Sequence, residues 1–186
     1  GWLGLPLGAS LANNDYKISG STTSASKVDT LASNGVEPFI IELGSIDHNI
    51  ENFLKAEILI ISITSKDIEG FKQLIHHIEK AAVKKVIFIS STSVYANADH
   101  PVNEEIPEID SPLSRIELLL SSNKKIKTTI IRFAGLIGYN RKPGRFFKDG
   151  RTISNPEGCV NMIHRDDCIN IIETIIEKDI WNETFN

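Results

Sequence analysis

Apolar and polar positions alternate along this chain in two rhythms. The runs FIIEL (39–43), ILIISI (58–63), KVIFIS (85–90) and TTIIRFAGLIG (128–138) are short, rich in β-branched residues and apolar at nearly every position. That is the pattern of parallel strands buried on both faces. Between them, apolar residues recur at helical spacing. In DIEGFKQLIHHIEKAA, Ile68, Phe71, Leu74, Ile75, Ile78 and Ala82 mark one buried face, with His76 and His77 at its edge or outside it. STTSASKVDTLASNG supplies Ser or Thr caps near 23–24, an inner face of Val28, Leu31 and Ala32, and a stop at Asn34–Gly35. Ser111–Pro112 caps a helix with Ile116, Leu119 and Leu120 facing inward. Another begins near Asp166–Asp167 and carries Ile169, Ile172, Ile175 and Ile176. Strand and helix alternate throughout, which predicts an α/β domain over 1–186: a doubly wound parallel sheet with helices on both faces. The segments 96–112 and 139–160 read as loops.

Composition narrows the partners. The 186 residues fit one domain with one sizeable core, and 20 Lys+Arg against 24 Asp+Glu leave a net charge of −4. No basic field is offered to nucleic acid or to an anionic membrane, so a small molecule is the expected ligand. Cys159 and Cys168 lack metal-site spacing and are expected to be reduced and buried, with no metal role. No apolar run approaches the ~20 residues that cross a bilayer. No basic-then-apolar signal segment opens the chain, so cytoplasm is the expected location.

In a doubly wound sheet, ligands bind beyond the carboxyl ends of the strands. The opening GWLGLPLGASL places Gly1, Trp2, Leu3 and Gly4 as the second half of a G-x-G-x-x-G turn, with Pro6 in the first helical turn. Such a turn brings backbone N–H groups to a phosphate at a helix start. It also requires a strand before it. The intact protein is therefore expected to carry a short apolar strand, ending in glycine, ahead of Gly1, and to continue past the strand that WNETFN begins. About 20 residues on, where a carboxylate would bind the ribose 2′-hydroxyl of NAD, stand Ser21, Thr22, Thr23 and Lys27. Hydroxyls and a cation suit a 2′-phosphate, so NADP is expected over NAD.

Three ordered segments then point to a family. ISSTSVY (89–95), IIRFAGLIG (130–138) and VNMIHRDDCINII (160–172) resemble the extended short-chain dehydrogenase/reductases, the NAD(P)-dependent epimerase/dehydratase family. The glycine turn, GSTTS and KPGRFF are most similar to its atypical, YeeZ-like branch. The resemblance implies a Rossmann-type fold and assigns Ser91 as the catalytic hydroxyl that holds the reacting oxygen. It adds Ser62, Thr64, Ser90, Phe133 and Ala134 to the cofactor site. Substrate contacts fall on Ser91, Thr92, Tyr95, Arg145, Phe146, Asn161 and His164. Arg141, Lys142 and Arg145 beside Phe146 and Phe147 suit a phosphate or carboxylate group. A homodimer is compatible with the family.

One part of the family pattern is missing. Its Tyr-x-x-x-Lys pair, in which a cation lowers the phenol's pKa, falls near Ile109 and Leu113, and Arg115 is the nearest cation. His164 is the side chain in these segments that stands as a candidate to replace that pair. Two functions stay open: oxidoreductase, epimerase or dehydratase chemistry on a small hydroxylated, nucleotide-sugar-like substrate, or a catalytically silent NAD(P)-binding or redox-sensing protein.

Overall fold

The computed structural model describes residues 1–96, 100–106, 108–144 and 157–186. The chain runs through α1 (Gly4–Asn13), β1 (Ile18–Thr22), α2 (Val28–Ala32), β2 (Val36–Ile40), α3 (Asn49–Phe53), β3 (Ile58–Ile61) and α4 (Ile68–Lys80). It continues through β4 (Lys85–Ser91), α5 (Pro112–Ser121), β5 (Lys127–Phe133), β6 (Gly135–Ile137), β7 (Met162–His164), α6 (Arg165–Glu177) and β8 (Thr184–Phe185). Among the described residues every pairing between these strands is parallel. Strands β3-β4-β5-β8 form a four-stranded sheet, while β1 pairs with β2 and β6 with β7.

The period-two geometry of a strand explains the layers. Along β3, β4 and β5, Leu59, Ile61, Val86, Phe88 and Ile130 point into one core, shared with Phe71, Leu74 and Ile78 of α4 and with Ile116 and Leu120 of α5. The intervening Ile87, Ile131 and Phe133 point into a second core with Leu3, Leu7 and Leu11 at α1 and Cys168, Ile169 and Ile172 of α6. Val86, Ile87 and Phe88 are at most 1% exposed, and each such side chain contributes about 1.5–3 kcal/mol of burial free energy. This is the two-faced α/β sheet expected from the pattern.

The starts of α4, α5 and α6 follow the cap chemistry, whereas α2 begins at Val28 behind Lys27 with no side-chain cap from the Ser and Thr residues near 23–24. The Asp67 carboxylate accepts from Gly70 N–H at 3.1 Å to start α4, and Ser111 and Ser114 form a reciprocal capping box ahead of α5 with Pro112 in its first turn. His164 caps α6, with Asp166 and Asp167 in its first turn.

Several local expectations are corrected. The second strand lies at 36–40 rather than 39–43, because Gly35 (φ +73°) ends α2 in a left-handed turn and the chain extends at once. β1 was not signalled by its sequence, ISGST, and is held by its register with β2, from Ile18 opposite Val36 to Thr22 opposite Ile40. The run 128–138 divides at Ala134 into β5 and β6. Ala32 and Ala82 are exposed; α4 stops at Lys80, so Val83 rather than Ala82 turns inward. Cys159 is exposed rather than buried, since it lies outside any regular element. Cys168 is buried, and burial followed by the nearby Asp167 charge pushes its thiol up to about 11. Among the described residues no helix is long and apolar enough to cross a membrane.

Candidate functional site

The residues after β4 and β5 meet those before β7. Ser91 ends β4 half-buried, and its Oγ accepts from Ser93 N–H at 3.2 Å, which turns the chain at the sheet edge. Asn161 Nδ2 reaches Thr92 Oγ1 at 3.4 Å, and the Asn161 carbonyl accepts from Gly135 N–H at 3.1 Å. Segments about 70 residues apart are thereby joined beside Ser91. Ser62 and Thr64 follow the end of β3, half-buried and exposed respectively. Ala134 lies between β5 and β6, half-buried, whereas Phe133 and Leu3 turn into the second core at 4% exposure each.

Beneath this edge lies a buried charge network. Arg132 of β5 and Glu117 of α5 are each 3% exposed. Arg132 Nη2 donates to Glu117 Oε2 at 2.7 Å and its Nε donates to the same oxygen at 3.2 Å. The guanidinium also donates to Glu108 and to the Tyr95 hydroxyl, and Ser90 Oγ donates to Glu117. The Tyr95 hydroxyl in turn donates to Asn186 Oδ1 at 3.0 Å. Burial opposes the Arg132 charge, but Glu117 first, then Glu108 and Tyr95, hold it protonated above the ordinary arginine range. Burial likewise opposes ionisation of Glu108; its backbone hydrogen bond and Arg132 outweigh that and keep its carboxyl below the ordinary value. Ser90 and Tyr95, expected to face cofactor and substrate, have these hydroxyls engaged within the protein.

The glycine turn is the third component. A Cβ built on Gly4 would meet no atom within 4 Å, and Leu3, ahead of α1, gives the helix no side-chain cap. Backbone at such a turn is approachable, and a dinucleotide pyrophosphate fits that geometry. At the end of β1, Ser21 and Thr23 are exposed, and Thr22 Oγ1 accepts from Ser24 N–H at 3.2 Å.

A ladder of cations and rings borders the turn. Trp2 Nε1 donates to Asn140 Oδ1 at 2.8 Å. The Arg141 and Arg165 guanidiniums lie 4.4 and 5.1 Å from the Trp2 ring centroid, and Arg165 lies 4.0 Å from that of Tyr139. Tyr139 in turn contacts the His164 ring at 5.6 Å and donates to Asp166 Oδ2 at 2.8 Å. Gly138 (φ +125°) makes room: a Cβ there would sit 2.6 Å from His164 Nε2. His164 Nδ1 accepts from Asp166 N–H at 3.3 Å. Of these residues the sequence singled out Trp2, Arg141 and His164; Arg165 and Tyr139 were missed, although Arg165 directly follows His164 in the VNMIHRDD segment.

Arg145, Phe146 and Phe147 lie outside the described residues. Ile109 is 44% exposed and its N–H donates to the Val94 carbonyl at 2.8 Å, so an apolar residue stands beside the turn that follows Ser91. Among the described residues, no group of three or more His, Cys, Asp or Glu side chains is placed to hold a metal ion.

No protein-family model matches the chain. Protein YeeZ of Escherichia coli K12 is 28% identical over 203 aligned residues, covering all of this chain and 74% of YeeZ. A functionally unknown conserved protein from Silicibacter pomeroyi superposes with a TM-score of 0.83 at 21% identity, over 100% of this chain and 68% of that one. UDP-glucuronic acid 4-epimerase from Bacillus cereus, in complex with a fluorinated UDP-sugar acid and NAD, superposes at 0.79 with 18% identity, over 99% of this chain and 73% of the enzyme. The chain is thus similar in sequence to YeeZ and carries the Rossmann-type fold of such epimerases, which supports the resemblance to NAD(P)-dependent epimerase/dehydratases that its motifs carry.

Proposed function

We propose that this protein binds NAD(P) at the carboxyl ends of its parallel strands and acts on a small hydroxylated, nucleotide-sugar-like molecule, as an oxidoreductase, epimerase or dehydratase. The observation that carries the proposal is the Thr92–Asn161 contact, because it brings two of the three family-like segments together beside Ser91. A bound nicotinamide dinucleotide supplies hydride transfer. The protein's own residues position the reactants. The open turn at Gly1–Gly4 offers backbone to the pyrophosphate, and Ser21, Thr22, Thr23 and Lys27 favour a 2′-phosphate, so NADP is preferred to NAD. The Ser91 hydroxyl holds the reacting oxygen of the substrate, and Asn161 and His164 line the substrate's side.

A second reading, a silent NAD(P)-binding or redox-sensing protein, is favoured by the lack of a Tyr-x-x-x-Lys pair in the sequence, whose tyrosine position falls by spacing near Ile109. Following nicotinamide absorbance with a panel of UDP-sugars separates the two. Turnover that Ser91→Ala abolishes, with dinucleotide affinity kept within about threefold, supports the enzyme. Turnover that survives Ser91→Ala refutes the role given to Ser91, and binding without turnover on any panel member supports the silent protein.

A further inference from the structure

We propose that Arg141 and Arg165, set against Trp2, form a clamp for a diphosphate group. Two like charges lie over one indole ring, at 4.4 and 5.1 Å from its centroid. Among the described residues neither guanidinium makes an ion pair with a carboxylate, while Arg115, Arg132 and Lys85 all do. The acidic side chain near the ladder, Asp166, is engaged by the Tyr139 hydroxyl at 2.8 Å and faces His164 Nδ1 at 3.7 Å. Arg165 Nε is buried with no hydrogen-bond partner, and its Nη1 reaches the Trp2 carbonyl only at 3.4 Å. A buried N–H left unpaired is costly, and a pair of unbalanced guanidiniums repels. An anion in the clamp removes both penalties.

The number of donors and charges selects the ligand. Each guanidinium presents a planar fork that matches phosphate oxygens two at a time, and their two positive charges exceed the single negative charge of one carboxylate. A diphosphate diester carries two negative charges and several free oxygens. That chemistry is common to nicotinamide dinucleotides and to nucleotide-sugars. The clamp rests on the arginine geometry, and the choice between those two sources rests on the nucleotide-binding reading above.

Calorimetric titration of the whole chain with inorganic pyrophosphate, NADPH and UDP tests the proposal, using wild type, Arg141→Gln, Arg165→Gln and the double variant, each with its melting temperature. Pyrophosphate affinity is expected to fall roughly tenfold or more in the double variant. Arg141 is exposed, so Arg141→Gln should fold even if Arg165→Gln does not, and it alone should weaken pyrophosphate binding severalfold. Weakened NADPH with unchanged UDP assigns the clamp to the dinucleotide; the reverse assigns it to a nucleotide-sugar. If wild type binds pyrophosphate through these arginines but not NADPH, the clamp stands and the dinucleotide reading fails. Pyrophosphate affinity unchanged within about twofold in folded variants, or no binding of any of the three by wild type, overturns the clamp.

Discussion

Arg132 and Arg165 each lie against an aromatic ring, Tyr95 at 5.0 Å and Tyr139 at 4.0 Å, yet their surroundings are opposite. Arg132 is buried and surrounded by Glu117, Glu108 and the Tyr95 hydroxyl, so its charge and donors are met from within the protein. Arg165 is half-buried, meets two rings, and among the described residues has no carboxylate partner. The first arrangement is finished by folding. The second leaves charge and a buried donor for something else to meet. Full internal pairing marks an arginine finished by folding, and the incomplete pairing of Arg165 beside the glycine turn is what the proposed clamp rests on.

The contrast breaks most forcefully at Arg132. Arg132→Ala strands the Glu117 carboxylate in the core and should cost about 3–5 kcal/mol. Urea denaturation measures it. Replacing Arg132 and Glu117 together by Met and Leu should restore most of that loss, since no fully buried charge is then unpaired and Glu108, with its side chain 37% exposed, turns to water; a double variant as unstable as Arg132→Ala would show that the network does more than satisfy itself.

Gly138→Ala comes next. It forces a positive φ on a residue with a Cβ and drives that Cβ against His164. We expect a loss of about 1–3 kcal/mol, read as a lower melting temperature, together with displacement of the Tyr139–His164 contact. An unchanged melting temperature would mean that the turn relaxes freely and that the ladder is not held in register.

Arg165→Gln should cost least, no more than about 1 kcal/mol, because only its ring contacts and the long hydrogen bond to the Trp2 carbonyl are lost. The acid limb sharpens the difference. Glu108 is held below its ordinary 4.5, so its contribution is fully present above that value and is lost as pH falls through its lower folded value. Arg165→Gln should leave this limb unchanged, whereas variants at Arg132 should flatten it. An acid transition that moves with Arg165 instead would contradict the division between the two arginines.

Legibility in the sequence follows the same division. Strands β3, β4 and β5 and helices α4, α5 and α6 were readable because their apolar residues repeat locally, at every position in the strands or three and four apart in the helices. β1 was not, because ISGST has one strong apolar residue and gains its place from pairing with β2. The Ser91 turn and Asn161 were flagged by family-like segments, but their meeting depends on contacts across 69 residues. The Arg141–Trp2–Arg165 group spans 163 residues, and no local rhythm announces a cation–π contact at that separation. Ser90 and Tyr95 are assigned to the site by the family resemblance; that Glu117 and Arg132 engage them follows only from the packing of α5 and β5 around the end of β4.

NADPH and NADH fluorescence titrations, with Ser21→Asp alongside the unmodified chain, test most directly whether the edge above β1 and α1 binds a nicotinamide dinucleotide. We expect saturable binding with NADPH favoured, and a reversal toward NADH when a carboxylate at position 21 takes the place of the 2′-phosphate. Absence of saturable binding of either dinucleotide to the folded protein would contradict the site. Equal or tighter binding of NADH by the unmodified chain would contradict the role given to Ser21–Thr23 and Lys27.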